Sequence, residues 1–191
     1  MMKSVVFAGV GGQGVILASK VLMETAMNAG YDVRESEVHG MAQRGGSVEC
    51  NVRFGKKVYS PLIPKGGADF VIAFEMLEAL RKLEYLNDDG KLIVNRFQIT
   101  PSSVQNGDAE YPTDIEPWII ENVKNQLFVD TAEALKTVGN AKSLNIMMLG
   151  VLSQYLDFTT EDWHSAIRSL VKPKFIDLNI SAFEKGRELS Q

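Results

Sequence analysis

Gly9-Val10-Gly11-Gly12-Gln13-Gly14 constrains this chain more than any other stretch, because of what stands on either side of it. Before it, Ser4 to Ala8 (SVVFA) is a short β-branched and aromatic run that suits a buried parallel strand. After it, Val15, Ala18, Leu22, Ala26 and Ala29 fall on one helical face, and Gly30 stops the helix. Asp32 to Val38 supplies a second strand, so the opening reads as a right-handed βαβ unit. A GxGxxG turn in that setting lets a ligand approach the backbone and aims first-turn N–H groups at an anion. On the residues alone three uses stay open: a nucleotide, coenzyme or phosphate site; close packing of helix on strand; or a contact with another subunit.

The remaining pattern continues as an α/β fold. Residues 39–46, His39-Gly40-Met41-Ala42-Gln43-Arg44-Gly45-Gly46, make a polar loop after the second strand. Ser47 to Phe54 and Val58 to Ser60 have the spacing of a hairpin around Gly55-Lys56-Lys57. Ala68 to Phe74 and Lys91 to Asn95 read as buried strands flanking a helix over Glu75 to Leu86, with a turn at Asp88-Asp89-Gly90. Thr100 to Pro117 holds three prolines and reads as irregular, with a short edge strand near Ala109 to Tyr111. A short helix over Trp118 to Lys124 and a strand over Gln126 to Asp130 follow. Helices over Thr131 to Val138, Leu144 to Leu156, Thr160 to Val171 and Asn179 to Leu189 complete the chain. The predicted architecture is a mostly parallel Rossmann-like sheet with an added antiparallel hairpin and a helical C-terminal third, one domain over residues 1–191.

Composition removes whole classes of function. The charge balance of 20 basic against 24 acidic residues, net −4, gives no basic surface for nucleic acid. A single cysteine, Cys50, rules out an internal disulfide and any iron–sulfur cluster held by this chain alone. Met1-Met2-Lys3-Ser4 runs straight into the first strand without a signal-peptide pattern, and no apolar run nears the ~18 residues of a membrane span. The expectation is a cytoplasmic protein with no membrane partner.

Two loops concentrate the side chains able to do chemistry. Arg44, beside Gly45 and Gly46, can present a guanidinium to a phosphate or carboxylate, or pair with a surface acid. His39 is an acid, a base or a donor, or else an ordinary surface group. Both loops follow strands that point the same way, so they are expected side by side at the carboxyl edge of the sheet. Glu35 or Glu37 stands where a dinucleotide-binding fold holds a ribose hydroxyl, although the loop after it is unlike the usual crossover. His164 reads as structural and Cys50 as a small buried side chain. The apolar helix around Ile146 to Leu152 reads as core or as a face for a partner.

The combination GVGGQG, SEVHGMAQRGGSVECNVRFG (Ser36 to Gly55) and SPLIPKGGADF (Ser60 to Phe70) resembles the gamma subunit or domain of 2-oxoacid:ferredoxin oxidoreductases. FEMLEALR (Phe74 to Arg81), Asn145, Leu149-Gly150 and the final Asn179, Ala182-Phe183 and Gly186 fit as well. The HGMAQRGG form is most similar to the beta subunit of indolepyruvate ferredoxin oxidoreductases. The resemblance implies a subunit of an enzyme that oxidatively decarboxylates a 2-oxoacid with coenzyme A, giving acyl-CoA, CO2 and reduced ferredoxin. Thiamine diphosphate and iron–sulfur clusters are then expected on the partner and not here. Gly107-Asp108 is followed by Ala109, so the GDG start of a thiamine-diphosphate motif is missing.

Gly9, Gly11, Gly12, Gln13, Gly14, His39, Arg44, Gly45 and Gly46 are the candidate binding residues, facing a phosphate of coenzyme A or a carboxylate of the partner chain; no catalytic or metal-binding residue is expected on this chain. The partners implied are the catalytic subunit or subunits, ferredoxin through the complex, and a second copy when the chain is isolated. Two other functions stand beside this one: a stand-alone NAD(P)-binding reductase and a purely structural assembly subunit.

Overall fold

Val5, Val6, Phe7 and Ala8 point alternately to opposite sides of their strand, yet all four are fully buried. Such a strand needs a layer on each face. The computed structural model, which describes residues 2–39 and 46–189, supplies both. Its sheet holds six strands among the described residues: β1 (Lys3–Val10), β2 (Asp32–His39), β3 (Ser47–Gly55), β4 (Ala68–Ala73), β5 (Leu86–Asn95) and β6 (Gln126–Val129). Their order is β2-β3-β1-β4-β5-β6, with β3 antiparallel to both neighbours and the other pairs parallel. Every strand except β3 therefore delivers its carboxyl end to one edge.

One face packs on α1 (Val15–Asn28) and the C-terminal helices, the other on α2 (Met76–Lys82) and α4 (Ile115–Asn122) with their flanking segments, while the single turn α3 (Ser102–Gln105) buries no residue. The C-terminal group is α5 (Ala132–Val138), α6 (Leu144–Ser153), α7 (Thr160–Leu170) and α8 (Ile176–Glu188). α1 buries Val15, Ala18, Leu22 and Ala26, as its spacing predicts. Thr159 and Asp162 close a capping box at the start of α7, Thr159 Oγ1 accepting from the Asp162 amide while the Asp162 carboxylate accepts from the Thr159 amide. No helix among the described residues is long and apolar enough to cross a membrane.

Several elements differ from expectation for identifiable reasons. Val58 to Ser60 forms no strand; β3 instead pairs with β2, from Asp32 opposite Gly55 to His39 opposite Val48. The Asp32 carboxylate accepts the Val58 amide at 3.0 Å, and Arg53 donates to the Ser60 and Leu62 carbonyls at 3.1 and 2.9 Å. Side chains thus take the backbone bonds that a hairpin strand would have used. β1 and β2 are parallel, as a βαβ unit requires, but β3 lies between them. The expected turn at Asp88-Asp89-Gly90 is part of β5, and Gly90 serves close approach: a Cβ there would lie 2.8 Å from the Ala68 carbonyl oxygen. Residues 109–111 form no edge strand.

α6 is not a partner-facing helix. Ile146, Met147, Met148, Leu149, Val151 and Leu152 are all fully buried, because α8 crosses α6 backbone on backbone. A Cβ on Gly150 would sit 2.0 Å from the Phe183 carbonyl oxygen, and one on Gly186 would meet the Met147 carbonyl oxygen at 1.9 Å. Neither obstacle is a side chain that can swing aside. Gly186→Ala is expected to force the helices apart at a cost of about 1–3 kcal/mol, lowering the melting temperature by roughly 2–12 °C. A thermal melt of the variant followed by circular dichroism checks this, and an unchanged midpoint would show that the crossing is not tight.

Candidate functional site at the carboxyl edge of the sheet

After β1 the chain must reverse into α1 within four residues, Gly11 to Gly14. Gly12 and Gly14 do this at φ +103° and +78°, a region that L side chains avoid. Gly9 is required for space instead: a Cβ there would meet Val15 Cγ2 at 2.7 Å and Gln13 Oε1 at 2.9 Å. Gln13 folds back into the turn. Its Oε1 accepts the Val10 amide at 2.8 Å, and its Nε2 donates to the Phe74 carbonyl at 3.0 Å.

Connections from β1 and β4 leave in opposite directions across the sheet, so the crevice between them is the topological switch point where open α/β sheets bind ligands. Gln13 bridges its floor. Asn95, ending β5, donates to the same Phe74 carbonyl at 3.2 Å and accepts from Thr131 Oγ1 at 2.9 Å. A cavity of about 340 Å³ lies beside this polar chain, with Phe97, Leu135 and Leu144 on its walls and Arg96 and Lys142 also lining it. Its volume is within the range of small-molecule sites. Next to it Asn145, buried, donates to the Gly14 carbonyl at 3.1 Å and leaves its Oδ1 unpartnered. The first turn of α1 contains no acid, so nothing cancels the positive end of the helix dipole there.

The predicted site residues fall as follows. Gly9, Gly11, Gly12, Gln13 and Gly14 form the turn, and the Gly11 amide donates to the Gly46 carbonyl at 2.8 Å. The end of the second loop therefore touches the first, at the edge where both were expected. Ser47, one residue on, donates to Glu78 at 2.6 Å and so fixes the start of β3 to α2. His39 ends β2, opposite Val48. Arg44 and Gly45, with Gly40 to Gln43, lie outside the described residues.

Glu35 and Glu37 are committed elsewhere. Glu35 accepts from Ser19 Oγ at 2.5 Å and Glu37 pairs with Lys20 at 3.7 Å, both on α1. Burial raises the Glu35 carboxyl above its ordinary range, against the lowering effect of the Ser19 bond. His164 binds Glu184 at 2.8 Å and stands edge-on to Phe183, a structural role. Burial pushes the Cys50 thiol up to about 12, the opposite of an activated nucleophile. Among the described residues no group of His, Cys, Asp or Glu is arranged to hold a metal ion.

Asn95 and Thr131 do not stand out in the sequence as site residues, and Asn145 stands out there only through the family resemblance. The available signal is positional: Asn95 is the polar end of an apolar strand, and Thr131 stands two residues beyond the end of the next one.

Residues 4–189 match the pyruvate ferredoxin/flavodoxin oxidoreductase family. The chain is 42% identical over 188 residues to indolepyruvate oxidoreductase subunit IorB of Thermococcus kodakarensis, covering 96% of this chain and 93% of that protein. It is 41% identical to the subunit of the same name from Archaeoglobus fulgidus, over 97% of this chain and 94% of that one. A keto/oxoacid ferredoxin oxidoreductase gamma subunit from Geobacter sulfurreducens shares the fold, with a TM-score of 0.75 at 23% identity, over 100% of this chain and 97% of that one.

Two outcomes follow from the site geometry. Gln13→Ala removes both bonds of the turn and strands the Val10 amide, so unfolding in urea should show a loss of about 1–3 kcal/mol; a loss below about 0.5 kcal/mol, the size of a neutral surface change, would mean the turn holds without it. Cys50 should stay inert to a disulfide-exchange reagent at neutral pH in the native protein and react at once when denaturant is added. Rapid native labelling would contradict the burial of its thiol.

Proposed function

Because the chain belongs to the pyruvate ferredoxin/flavodoxin oxidoreductase family, we propose that it is the subunit carrying neither thiamine diphosphate nor a cluster in a 2-oxoacid:ferredoxin oxidoreductase acting on indolepyruvate or another aryl pyruvate. The observation that carries this reading is the likeness to indolepyruvate oxidoreductase subunits along nearly the whole chain, at 42% identity. In the assembled enzyme the carbon–carbon bond to the carboxylate of the 2-oxoacid breaks, CO2 leaves, the acyl group passes to the sulfur of coenzyme A, and the released electrons pass to ferredoxin. Thiamine diphosphate and iron–sulfur clusters on the partner supply the carbanion and electron-transfer chemistry.

The part left to this chain is binding and orientation. In this reading the turn of Gly9, Gly11, Gly12, Gln13 and Gly14 offers backbone amides and the uncancelled α1 dipole to a phosphate of coenzyme A. Arg44 adds a guanidinium, and His39, Gly45 and Gly46 shape the loop that carries it. Supporting it are the contact between Gly11 and Gly46 and the adjoining cavity at the sheet's switch point. The whole chain acts as one gamma-type unit in the cytoplasm.

The stand-alone NAD(P) reductase loses its ribose-binding acid, since Glu35 and Glu37 are held by α1. A purely structural assembly role keeps one observation in its favour: Gln13 already satisfies part of the turn from within. Steady-state kinetics separate the two. Co-expressed with the subunit that carries the GDG and cysteine-cluster motifs, the chain should support viologen reduction by an aryl pyruvate and coenzyme A, while alone it should support none. Losing a charge-assisted hydrogen bond costs ~1.5–3 kcal/mol, so Arg44→Ala should raise the KM for coenzyme A about ten- to a hundredfold. Stability should hardly change. An unchanged KM together with poor assembly would move Arg44 to the subunit interface and favour the structural role.

A further inference from the structure

Glu78 is 1% exposed, although its ion-pair partner Arg81 stands one turn away on the same helix, where the two could pair at the surface. Burying such a pair gains little stability, because taking the charges out of water offsets their attraction. A second donor shows what the burial achieves. Ser47, the first residue of β3, donates from Oγ to Glu78 Oε2 at 2.6 Å, while Arg81 donates to Oε1 at 2.6 Å. The Glu78 amide is itself held by the Glu75 carboxylate at 3.0 Å. Glu78 is therefore a fixed acceptor on α2, and β3 starts from it.

That start matters because of the residue before it. Gly46 has no side chain and a permissive backbone, so its carbonyl points where its neighbours direct it. Ser47 lies opposite Val10 in the β1–β3 ladder, and the Gly11 amide donates to the Gly46 carbonyl at 2.8 Å. This bond carries the ladder one residue past the strands and into the glycine turn. Within the turn the Gln13 amide donates to the Val10 carbonyl at 3.1 Å. Among the described residues the amides of Gly12 and Gly14 have no partner. The bonds made by Gly11 and Gln13 set the direction in which those two free amides face.

We propose that Glu78 is a positioning residue for the ligand of the glycine turn. It touches no ligand. It holds Ser47, Ser47 holds the Gly46 carbonyl against Gly11, and the turn keeps its free amides aimed at the anion. The proposal rests on the reading that these amides meet a phosphate of coenzyme A. Donors already ordered bind without a further ordering cost. Breaking the bond between Ser47 and Glu78 should therefore weaken coenzyme A and leave the chemistry on the partner untouched.

Steady-state kinetics of the assembled enzyme test it, with thermal melts showing that each variant folds. Ser47→Ala leaves the pair of Glu78 and Arg81 whole. It should raise the KM for coenzyme A about three- to tenfold, the size of one hydrogen bond, with kcat and the KM for the 2-oxoacid changed less than about twofold. Ser47→Thr keeps the hydroxyl and should restore the KM. Glu78→Gln keeps an acceptor for Ser47 and should do less harm than Glu78→Ala. Ser47→Ala added to Glu78→Ala should be no worse than Glu78→Ala alone, because both act through one bond. Gly12→Asp sets a carboxylate in the open space before the turn and checks the underlying reading. If it raises the KM for coenzyme A while Ser47→Ala and Glu78→Ala are silent, the positioning role alone is overturned. If it leaves that KM unchanged, coenzyme A does not meet the turn and both readings fall. A Ser47→Ala enzyme that loses kcat or assembly as much as coenzyme A affinity makes Glu78 a structural residue and also overturns the proposal.

Discussion

The Phe74 carbonyl, at the end of β4, is the point on which the carboxyl edge depends. It accepts from Gln13 on one side and from Asn95 on the other, while the Phe74 amide donates back to Ala8 of β1. Thr131 extends the chain through Asn95 to the end of β6. Four parallel strands are thereby tied together at the edge where the glycine turn, the cavity and the start of α1 meet. Buried polar chains of this kind hold a geometry only when each member is satisfied. Here they fix the floor of the crevice, and a ligand would meet a formed surface there.

The polar chain is possible because the apolar work is done elsewhere. The layer beneath α1, α6, α7 and α8 carries Phe7, Phe74, Trp163 and Phe183, with rings in contact from Phe158 through Trp163 to Phe183. The opposite layer is smaller and aliphatic, and beside it stand buried carboxylates. Glu75 caps α2 and accepts from the Ile99 amide and the Tyr111 hydroxyl, and Glu78 accepts from Ser47 and Arg81. Buried acids with this many donors cement the loops that cross the face.

How far the sequence led can be traced residue by residue. GVGGQG and Gly30 bound β1, α1 and the start of β2 correctly because each transition there needs a residue with unusual backbone freedom or no side chain. The family and the α/β class were legible for the same reason: motifs survive where geometry leaves few choices. Pairing was less legible. Val58-Tyr59-Ser60 has strand-like residues, but Arg53 from the preceding strand and Asp32, 26 residues away, take its backbone bonds. Asp88-Asp89-Gly90 looks like a turn because Gly90 was read for its torsions, when it is needed for its missing Cβ. The apolar length of α6 said it was buried without saying by what; Gly150 and Gly186 hold that answer only as a pair. At the site, Gly11 and Gly46 were legible, whereas Asn95 and Thr131 were not, since a polar residue ending a strand has meaning only once its neighbours in space are known.

The crossing of α6 and α8 has a kinetic consequence. Where side chains mediate a helix contact, the helices can loosen by degrees as rotamers change. Here carbonyl groups press against glycine Cα atoms, and no intermediate spacing keeps the contact. α8 is therefore either seated or gone, and its departure uncovers the largely apolar α6 beneath it. Amide hydrogens of the two helices should then exchange as one cooperative unit, and the C-terminal thirteen residues of helix act as a cover whose loss turns a folded subunit into an aggregating one.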